Sequence, residues 1–413
     1  MRLFEASQRP GGVVRTESAR GYLLELGPNT VRPTPELWML VNALDLTGEA
    51  LLADPRTPRY VEVDGALHAL PASPGAFLGT RLLSLRGKLR ILAEPFVPRG
   101  HRGSETVRQF FARRLGREVA DRIVEPFVAG IWAGTSDALA IAESFPSFAR
   151  WESESGSILR GAFAARHGAR SSSTRPPRGL LSFRAGMETL PRRLASELGD
   201  RLSLGLRVES VCPARPKVGW TLSTSAGDVS AARVVIATPA PAAARLVAGF
   251  APEAAAALGS IPHPPLAVVH LSSLGPAPPP GFGHLVAPQV GRRILGAVWS
   301  SNLFPGRAPA GASLYTVFLG GARDAPAVDL PDGELATLAS RDLNAALRRT
   351  DAFEAIRVTK YASAIPQYDA GHRGRIETLL AAEARFPGLE FLGSYRGGIS
   401  VGDVVRSALA VSL

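Results

Sequence analysis

The sequence is poor in features that would place it among disulfide-rich, zinc-binding or membrane-spanning proteins. Its 413 residues include one cysteine, Cys212, which excludes a framework of intrachain disulfides and is compatible with a reducing compartment. No cysteine and histidine group has the spacing of a zinc site, so no metal site is predicted. No uncharged apolar run reaches about 18 residues, and the first residues do not have the pattern of a signal peptide. We therefore expect a folded protein without a membrane-spanning helix.

The positive charge is concentrated in one segment. The net charge is +11, and between Arg81 and Arg117 there are ten Lys or Arg residues against two acids, interleaved with leucines. This pattern is typical of an amphipathic surface that contacts an anionic membrane, and an arginine-rich solvated helix face is an equal alternative. No nucleic-acid-binding motif accompanies the segment, so no nucleic-acid partner is expected.

The first half of the chain predicts short strands followed by helices. Length and a hydrophobic content of 46% suit two or three lobes. The predicted elements are strand, turn and strand over 2–31, a helix over 34–51, a hairpin over 58–71 that turns at Asp64-Gly65, helices over 75–165 with breaks at Pro95, Pro98 and Pro126, and a basic loop over 167–179.

The second half of the chain alternates strands and helices. A helix is expected over 187–198, short strands near 203–211, 219–224 and 233–237, and a helix over 333–349. The run that begins at Val234 is apolar on both faces, which is typical of a buried strand in a parallel sheet. Strand-like segments over 266–320 predict an antiparallel or mixed sheet. The tail predicts a strand, a glycine-rich turn and a helix that starts near Val401, whose unpaired N–H groups could bind an anion.

Seven blocks of this sequence resemble the protoporphyrinogen oxidase family of flavoproteins, within the flavin amine oxidase superfamily. They are LFEASQRPGGVVRT, LELGPNTVRP, RYVEVDGALHALP, FVAGIWAG, GFGHLVAP, AIPQYDAGH and GSYRGGISVGDVV. The middle blocks are the more specific ones, above all IPQY followed by GH. The resemblance implies an α/β fold with an incomplete, Rossmann-like FAD-binding domain, a mixed-sheet substrate domain and a helical membrane-associating lobe.

The resemblance also implies how these domains divide the chain. The FAD-binding domain takes three separate parts, 1–50, 180–250 and 386–413, of which the first is truncated at its N-terminus. Residues 51–170 form the helical substrate and membrane-associating lobe, and 251–385 form the substrate domain.

The implied activity is the six-electron oxidation of protoporphyrinogen IX to protoporphyrin IX in haem biosynthesis. FAD is the implied cofactor and O2 the acceptor, so the difficult chemistry belongs to the cofactor and the protein supplies position and electrostatics. The resemblance is compatible with a cytoplasmic protein on the inner face of the cell membrane and with a homodimer. The alternatives are oxidation of coproporphyrinogen, a flavin amine oxidase, and an inactive remnant that binds porphyrin.

The cofactor residues follow from the resemblance position by position. Glu5 and Ala6 match the positions that hold the adenosine ribose, and Val208 matches a backbone contact to adenine. The turn that passes beside the cofactor is matched by Gly11, Gly12, Val13 and Arg15. The segment against the flavin ring is matched by Gly27, Pro28, Asn29 and Thr30, and the C-terminal turn at the flavin end by Ile399, Ser400 and Val401.

The substrate residues are implied in the same way. Arg59 matches a polar position that faces a propionate, for which a guanidinium is a suitable partner. The positions that line a flat porphyrinogen cavity are Phe127, Gly130, Phe282, Gly283, Leu285, Val298 and Phe318, with Gly130 near the reacting carbon. Plain core packing is the alternative, nearly equal for Val298 and Phe318. His284 and His372 are candidate acids or bases, and structural roles are preferred for both.

One expected element is missing before Glu5. An acid that ends the second strand of a dinucleotide-binding unit follows a glycine-rich phosphate loop by about 20 residues, and only four residues precede Glu5 here. We expect a chain that starts at Met1 to bind FAD poorly and to leave neighbouring strands with unpaired edges. The alternative is that Met1 is an internal start and the true chain extends upstream.

Overall fold

The computed structural model describes residues 1–100, 105–168, 176–214 and 219–411. The strands are β1 (Leu3–Glu5), β2 (Thr16–Ala19), β3 (Tyr22–Glu25), β4 (Ala50–Leu52), β5 (Arg59–Val63), β6 (Ala66–Ala69), β7 (Leu181–Phe183), β8 (Leu202–Leu204), β9 (Val208–Pro213), β10 (Trp220–Thr224), β11 (Gly227–Ala231), β12 (Val234–Ile236), β13 (Leu266–Ser273), β14 (Gly283–Val286), β15 (Ile294–Val298), β16 (Ser313–Gly320), β17 (Glu354–Tyr361) and β18 (Leu389–Phe391).

The helices of the described residues range in length from 3 residues in α5 to 16 in α14. They are α1 (Pro35–Ala43), α2 (Pro74–Gly79), α3 (Leu85–Leu92), α4 (Val107–Leu115), α5 (Arg117–Val119), α6 (Glu125–Trp132), α7 (Ile141–Ser144), α8 (Pro146–Ser155), α9 (Ile158–Gly168), α10 (Thr189–Leu198), α11 (Ala240–Val247), α12 (Pro252–Gly259), α13 (Ser300–Leu303), α14 (Asp332–Leu347), α15 (His372–Arg385) and α16 (Val401–Leu409). Most of the predicted basic loop, residues 169–175, lies outside the described residues.

Two short parallel strand pairs belong to the predicted cofactor side. β1 pairs with β8, and β12 pairs with β18, which confirms that the run from Val234 is a buried parallel strand. Ile236 and Phe391 share a core with α11, α12 and α15, and Phe4 of β1 packs against that core. Within the described residues each pair has two strands only.

A seven-stranded mixed sheet, in the order β17-β13-β16-β15-β14-β5-β6, joins five strands of the predicted substrate domain to β5 and β6, which lie in the segment predicted as the helical lobe. β14 runs parallel to β5, and the other neighbours are antiparallel. The β5-β6 hairpin turns at Asp64 and Gly65 with φ of 52° and 70°, as a primed turn requires. α14 covers one face of the sheet through Leu335, Ala339 and Leu343. The predicted α/β fold with a mixed sheet is confirmed.

The helices α2–α9 form a lobe with its own core, which includes Phe110, Val128 and Trp132. The predicted break at Pro126 is wrong, because α5, a π-helical turn and α6 follow one another without interruption. The Glu125 N–H bonds to the Ala120 carbonyl, five residues back, and this wider turn accommodates a proline ring at the next position. Among the described helices, none has the length and apolar character needed to cross a membrane.

The predicted helix over 34–51 is too long. Thr34 caps α1 through the Leu37 N–H, as expected for its start, but the helix ends at Ala43. Asp45 has a φ of 55°, which stops the helical path, and the chain then turns into β4. The turn buries Leu44 and Leu46 against α1, so the apolar residues that suggested a longer helix are used by a tight turn instead.

Candidate functional site

The end of β1 presents an acceptor without a cationic partner. The Glu5 carboxylate accepts from the Ser7 N–H at 2.8 Å and forms no ion pair within the described residues. The Leu206 N–H donates to the Glu5 carbonyl at 3.0 Å. The structure thus brings Glu5 and Ala6 close to the chain that enters β9 at Val208.

The glycine turn of residues 11–15 lies against the segment that starts at Gly27. The Leu26 N–H donates to the Arg15 carbonyl at 2.9 Å. A Cβ atom on Gly27 would lie 1.9 Å from the Val13 carbonyl oxygen, a distance that no side chain tolerates. Gly11 has a φ of 99°, so the turn itself also favours glycine. Two segments predicted to contact the cofactor are therefore packed backbone to backbone.

The C-terminal turn meets the same region from the other side. Ser400 caps α16 by accepting from the Asp403 N–H at 3.1 Å, and the Asp403 carboxylate accepts from the Ser400 N–H in return. A Cβ atom on Gly402 would lie 2.8 Å from Thr34 Cγ2. The first turn of α16, with its positive dipole end, therefore lies beside the chain that leaves Thr30.

Two side chains of the mixed sheet hold the segment that precedes Gly27. His270 Nε2 lies 3.1 Å from the Glu25 carbonyl oxygen, and the Tyr361 hydroxyl donates to the Leu26 carbonyl at 3.0 Å. Burial lowers the pKa of His270 to about 4, so the imidazole is neutral and donates from Nε2. Neither residue was predicted. His270 interrupts an apolar run in β13, a signal that is also typical of a buried core histidine.

The sheet face next to this segment is only partly covered. Every residue of β14, β15 and β16 is buried except Leu285, Val298 and Phe318, one on each strand. All three were predicted to line the substrate cavity. The exposure distinguishes them from the core residues around them.

The strand register places these side chains on one face. Gly283 pairs with Arg59 on one side and with Val298 on the other, and Gly296 pairs with both Leu285 and Phe318. A Cβ atom on Gly283 or Gly296 would collide with a neighbouring backbone atom at 2.1 or 2.4 Å. Because these two positions carry no side chain, the sheet face is flat between Arg59 at its edge and the side chains of Leu285, Val298 and Phe318.

Helix α6 approaches this face. A Cβ atom on Gly130 would lie 2.2 Å from Leu285 Cδ2, so helix and sheet are in direct contact there. Phe127, one turn earlier, keeps 41% of its surface exposed and packs beside Phe145. The structure thus brings Gly130 of α6 against Leu285 of the sheet, with Phe127 one turn earlier on the same helix.

The Arg59 guanidinium stands at the edge of the site. It lies 5.5 Å from the centre of the Phe282 ring and forms no hydrogen bond or ion pair with any described side chain. Burial, followed by the positive charge of Arg32, lowers its pKa. An open pocket of about 430 Å³ lies next to this edge, lined by residues that include Pro58 and Gly281 but neither Arg59 nor any of the predicted wall residues. An unpaired guanidinium beside a second one favours a carboxylate ligand.

A buried carboxyl lies just behind the site. Glu25 accepts from the Met187 N–H at 2.9 Å and from the Thr16 hydroxyl at 2.8 Å, and Arg307 Nη2 is 3.5 Å away. Burial raises the pKa of Glu25 to about 7 despite the Arg307 charge. Glu25 was not predicted as a site residue, although a glutamate within the apolar stretch YLLEL is an unusual feature of β3.

Neither candidate histidine lies in the walls of the site. His284 is buried beside Trp299, on the sheet face opposite Leu285, and neither ring nitrogen has a partner in the described part of the chain. Burial lowers its pKa to about 3. His372 begins α15 and stacks on Tyr368 at 3.8 Å, and burial lowers its pKa to about 4. Both histidines are neutral core residues.

Comparison with known proteins identifies the family of this chain. The model of the family of flavin containing amine oxidoreductases matches residues 1–412. A chloroplastic protoporphyrinogen oxidase of Oryza sativa is 33% identical, covering 98% of this chain and 81% of that protein. The coproporphyrinogen III oxidase of Bacillus subtilis is 27% identical, covering 99% and 90%. A crystal structure of a proposed protoporphyrinogen oxidase from Exiguobacterium superposes with a TM-score of 0.82 at 23% identity, covering 99% and 91%. The chain belongs to the flavin containing amine oxidoreductases and is an oxidoreductase related to the protoporphyrinogen oxidases.

Proposed function

We propose that the protein oxidises protoporphyrinogen IX to protoporphyrin IX, with FAD as cofactor and O2 as acceptor. One porphyrinogen and three O2 give one porphyrin and three H2O2. The observation that carries the proposal is the flat, partly exposed face of Leu285, Val298 and Phe318, with the unpaired Arg59 at its edge and the predicted flavin segment alongside. Relatives named protoporphyrinogen oxidase support the choice of substrate.

The residues present fit the adenosine ribose and the flavin end of FAD. Glu5 offers a free carboxylate oxygen to the ribose hydroxyls, and Gly27 lets the predicted flavin segment pack directly on the Val13 carbonyl, which fixes the two predicted cofactor segments against each other. The first turn of α16 points unpaired N–H groups and a positive dipole end towards the same region, which favours the negative charge of a reduced flavin. When bound, the cofactor supplies the acceptor for the two electrons removed in each step.

The chain's own residues bind and orient the macrocycle. Arg59 fixes one edge by pairing with a propionate, and Gly130 allows α6 to pack directly against Leu285 of the apolar face. The remaining predicted wall residues are apolar or glycine, so they exclude water and offer no charge to the ring carbons.

Oxidation of coproporphyrinogen III is the second candidate. Arg32 adds a second cation beside Arg59, and it also lacks an ion-pair partner among the described residues. Two cations suit a substrate with more carboxylates than protoporphyrinogen carries. The Bacillus relative named for this substrate supports the same candidate.

The test supplies each porphyrinogen under argon, admits O2, and follows porphyrin fluorescence together with the flavin content of the purified protein. Gly27→Ala is expected to lose flavin and turnover, because its Cβ would overlap the Val13 carbonyl. Gly48→Ala is the matched control, since its Cβ meets nothing within 4 Å. The proposal would be refuted by folded wild-type protein that binds no flavin, or that binds flavin and oxidises neither porphyrinogen.

We propose further that the protein attaches to an anionic membrane surface on the cytoplasmic side. One face of α3 and the turn after it is exposed and apolar: Leu85 is 73% exposed and Phe96 is 83% exposed, with Leu89 between them. Arg81 and Arg86 lie next to this face and are also exposed. Apolar side chains flanked by arginines are complementary to acyl chains beneath anionic headgroups.

Vesicle flotation tests the attachment. The protein should float with vesicles that contain phosphatidylglycerol and remain below with pure phosphatidylcholine. Leu89→Asp should reduce flotation, whereas Leu380→Asp, an exposed leucine on α15, should leave it unchanged. Flotation that is indifferent to lipid charge would rule out the electrostatic part of the proposal.

A further inference from the structure

The block IPQYDAGH is the most specific motif of the sequence, and the proposed reaction gives its Gln367 and Tyr368 no task. Both residues are buried, at 4% and 3% exposure, in the connection between β17 and α15. Neither belongs to the walls of the substrate site or to the predicted cofactor segments. Their hydrogen bonds show which parts of the molecule they join.

Gln367 holds the end of α6. Its side-chain Nε2 donates to the Trp132 carbonyl at 2.8 Å and to the Ile365 carbonyl at 2.9 Å. Trp132 is the last residue of α6, the helix that contributes Phe127 and Gly130 to the substrate site. Gln367 therefore fixes one end of the cavity wall.

Tyr368 holds the glycine-rich turn that leads into α16. Its hydroxyl donates to the Ser394 carbonyl at 2.7 Å and accepts from the Gly398 N–H at 3.1 Å, so a single side chain spans the turn. Its ring packs edge-on against Trp132 at 5.0 Å and is stacked by His372. Burial holds the pKa of the phenol above its usual range, so the hydroxyl keeps the proton that it donates.

We propose that Tyr368 is a positioning residue that, together with Gln367, sets the place of the glycine-rich turn relative to the cavity wall of α6. The turn carries Ile399 and Ser400 at the start of α16, so its place determines where the N–H groups of that helix stand. The link to catalysis rests on the proposed function, in which this turn faces the flavin.

The matched pair of variants is Tyr368→Phe and Tyr395→Phe. Each removes one buried phenol hydroxyl close to the glycine-rich turn. The Tyr395 hydroxyl, however, has no hydrogen-bond partner in the described part of the chain. Because Tyr368→Phe loses two hydrogen bonds, the equilibrium constant for local opening of the turn should increase about tenfold. Tyr395→Phe should have no such effect.

Hydrogen exchange of the amides of residues 394–400 in the purified protein measures the turn directly and needs no bound cofactor. Exchange should rise about tenfold in Tyr368→Phe, with α14 unchanged as an internal reference. In the flavin-loaded protein, the same variant should bind FAD several-fold more weakly and shift the flavin reduction potential, while the KM for porphyrinogen changes less.

The outcomes separate the two claims. Unchanged exchange in Tyr368→Phe, or a rise that extends to α14 as well, would overturn the positioning role. Faster exchange without any effect on FAD affinity or potential would overturn its link to the cofactor. A wild-type protein that oxidises no porphyrinogen would refute the proposed function, while a changed FAD affinity in Tyr368→Phe would still support the inference.

Discussion

Replacing Glu25 with glutamine should change how the stability of the protein depends on pH. Glu25 is 4% exposed, and Arg307, its cationic neighbour, is 2% exposed and 3.5 Å away. At this distance the attraction does not offset the loss of hydration, so burial raises the pKa of Glu25 from its usual 4.5 to about 7. Glutamine resembles the protonated carboxyl in shape and has no charge at any pH.

The sign follows from proton binding. Because the pKa is higher in the folded state than in the unfolded chain, the folded protein binds the Glu25 proton more tightly. The wild type therefore loses stability as the pH rises from about 4.5 to about 7, by about 3 kcal/mol for a shift of this size. Glu25→Gln lacks this loss, so its free energy of unfolding relative to the wild type should increase by about 3 kcal/mol between pH 4.5 and pH 8.

Urea denaturation of both proteins at a series of pH values measures this difference directly. The comparison between pH values cancels the constant effect of the amide on its neighbours, including Arg307. Glu209→Gln, at an exposed position of β9, serves as the control and should follow the wild type. A constant difference between Glu25→Gln and the wild type across the range would refute the reasoning.

Three further predictions concern the substrate site and its surroundings. Arg59→Met removes the unpaired cation and should raise the KM for porphyrinogen about tenfold in steady-state kinetics, with a smaller effect on kcat. The KM of Arg59→Lys should fall between those of the wild type and Arg59→Met. An unchanged KM would show that Arg59 does not bind a propionate. Gly130→Ala places a methyl group 2.2 Å from Leu285 Cδ2 and should lower kcat/KM for porphyrinogen. Adding Leu285→Ala to the same chain should restore part of kcat/KM. Full activity of Gly130→Ala alone would show that α6 has room to move. His284→Leu should keep its turnover and gain about 1 kcal/mol in unfolding free energy, because two buried ring nitrogens lack partners; a loss of turnover would show that the imidazole takes part.

The elements that the sequence predicted well are those decided by local chemistry. Asp64-Gly65 specifies the hairpin, since only residues that tolerate positive φ can form its turn. Ser400 with Asp403 specifies the start of α16, and the predicted start near Val401 is confirmed. In each case a few neighbouring residues determine the local structure, so no contact with a distant part of the chain is needed to predict it.

The errors arise where distant contacts decide the outcome. β17 was not predicted because its residues are mostly polar and partly exposed, and it is a strand only because β13 offers an edge to pair with. The predicted break at Pro126 follows a sound rule for isolated helices, but the π-helical turn before it removes the clash. The short turn after Ala43 likewise depends on a core that the local pattern does not reveal.

The candidate site shows the same division between its walls and its supports. The wall residue Leu285 could be proposed from family resemblance, because it lies in the recognisable block GFGHLVAP. His270 could not be proposed, because a lone histidine in an apolar strand has the same local pattern whether it supports a functional segment or only fills a core. Its contact with Glu25 joins residues 245 positions apart and exists only because β13 is packed against the end of β3. The supports of a site are thus harder to predict than its walls, since each support is defined by the segment that it holds and not by its own neighbours in the chain.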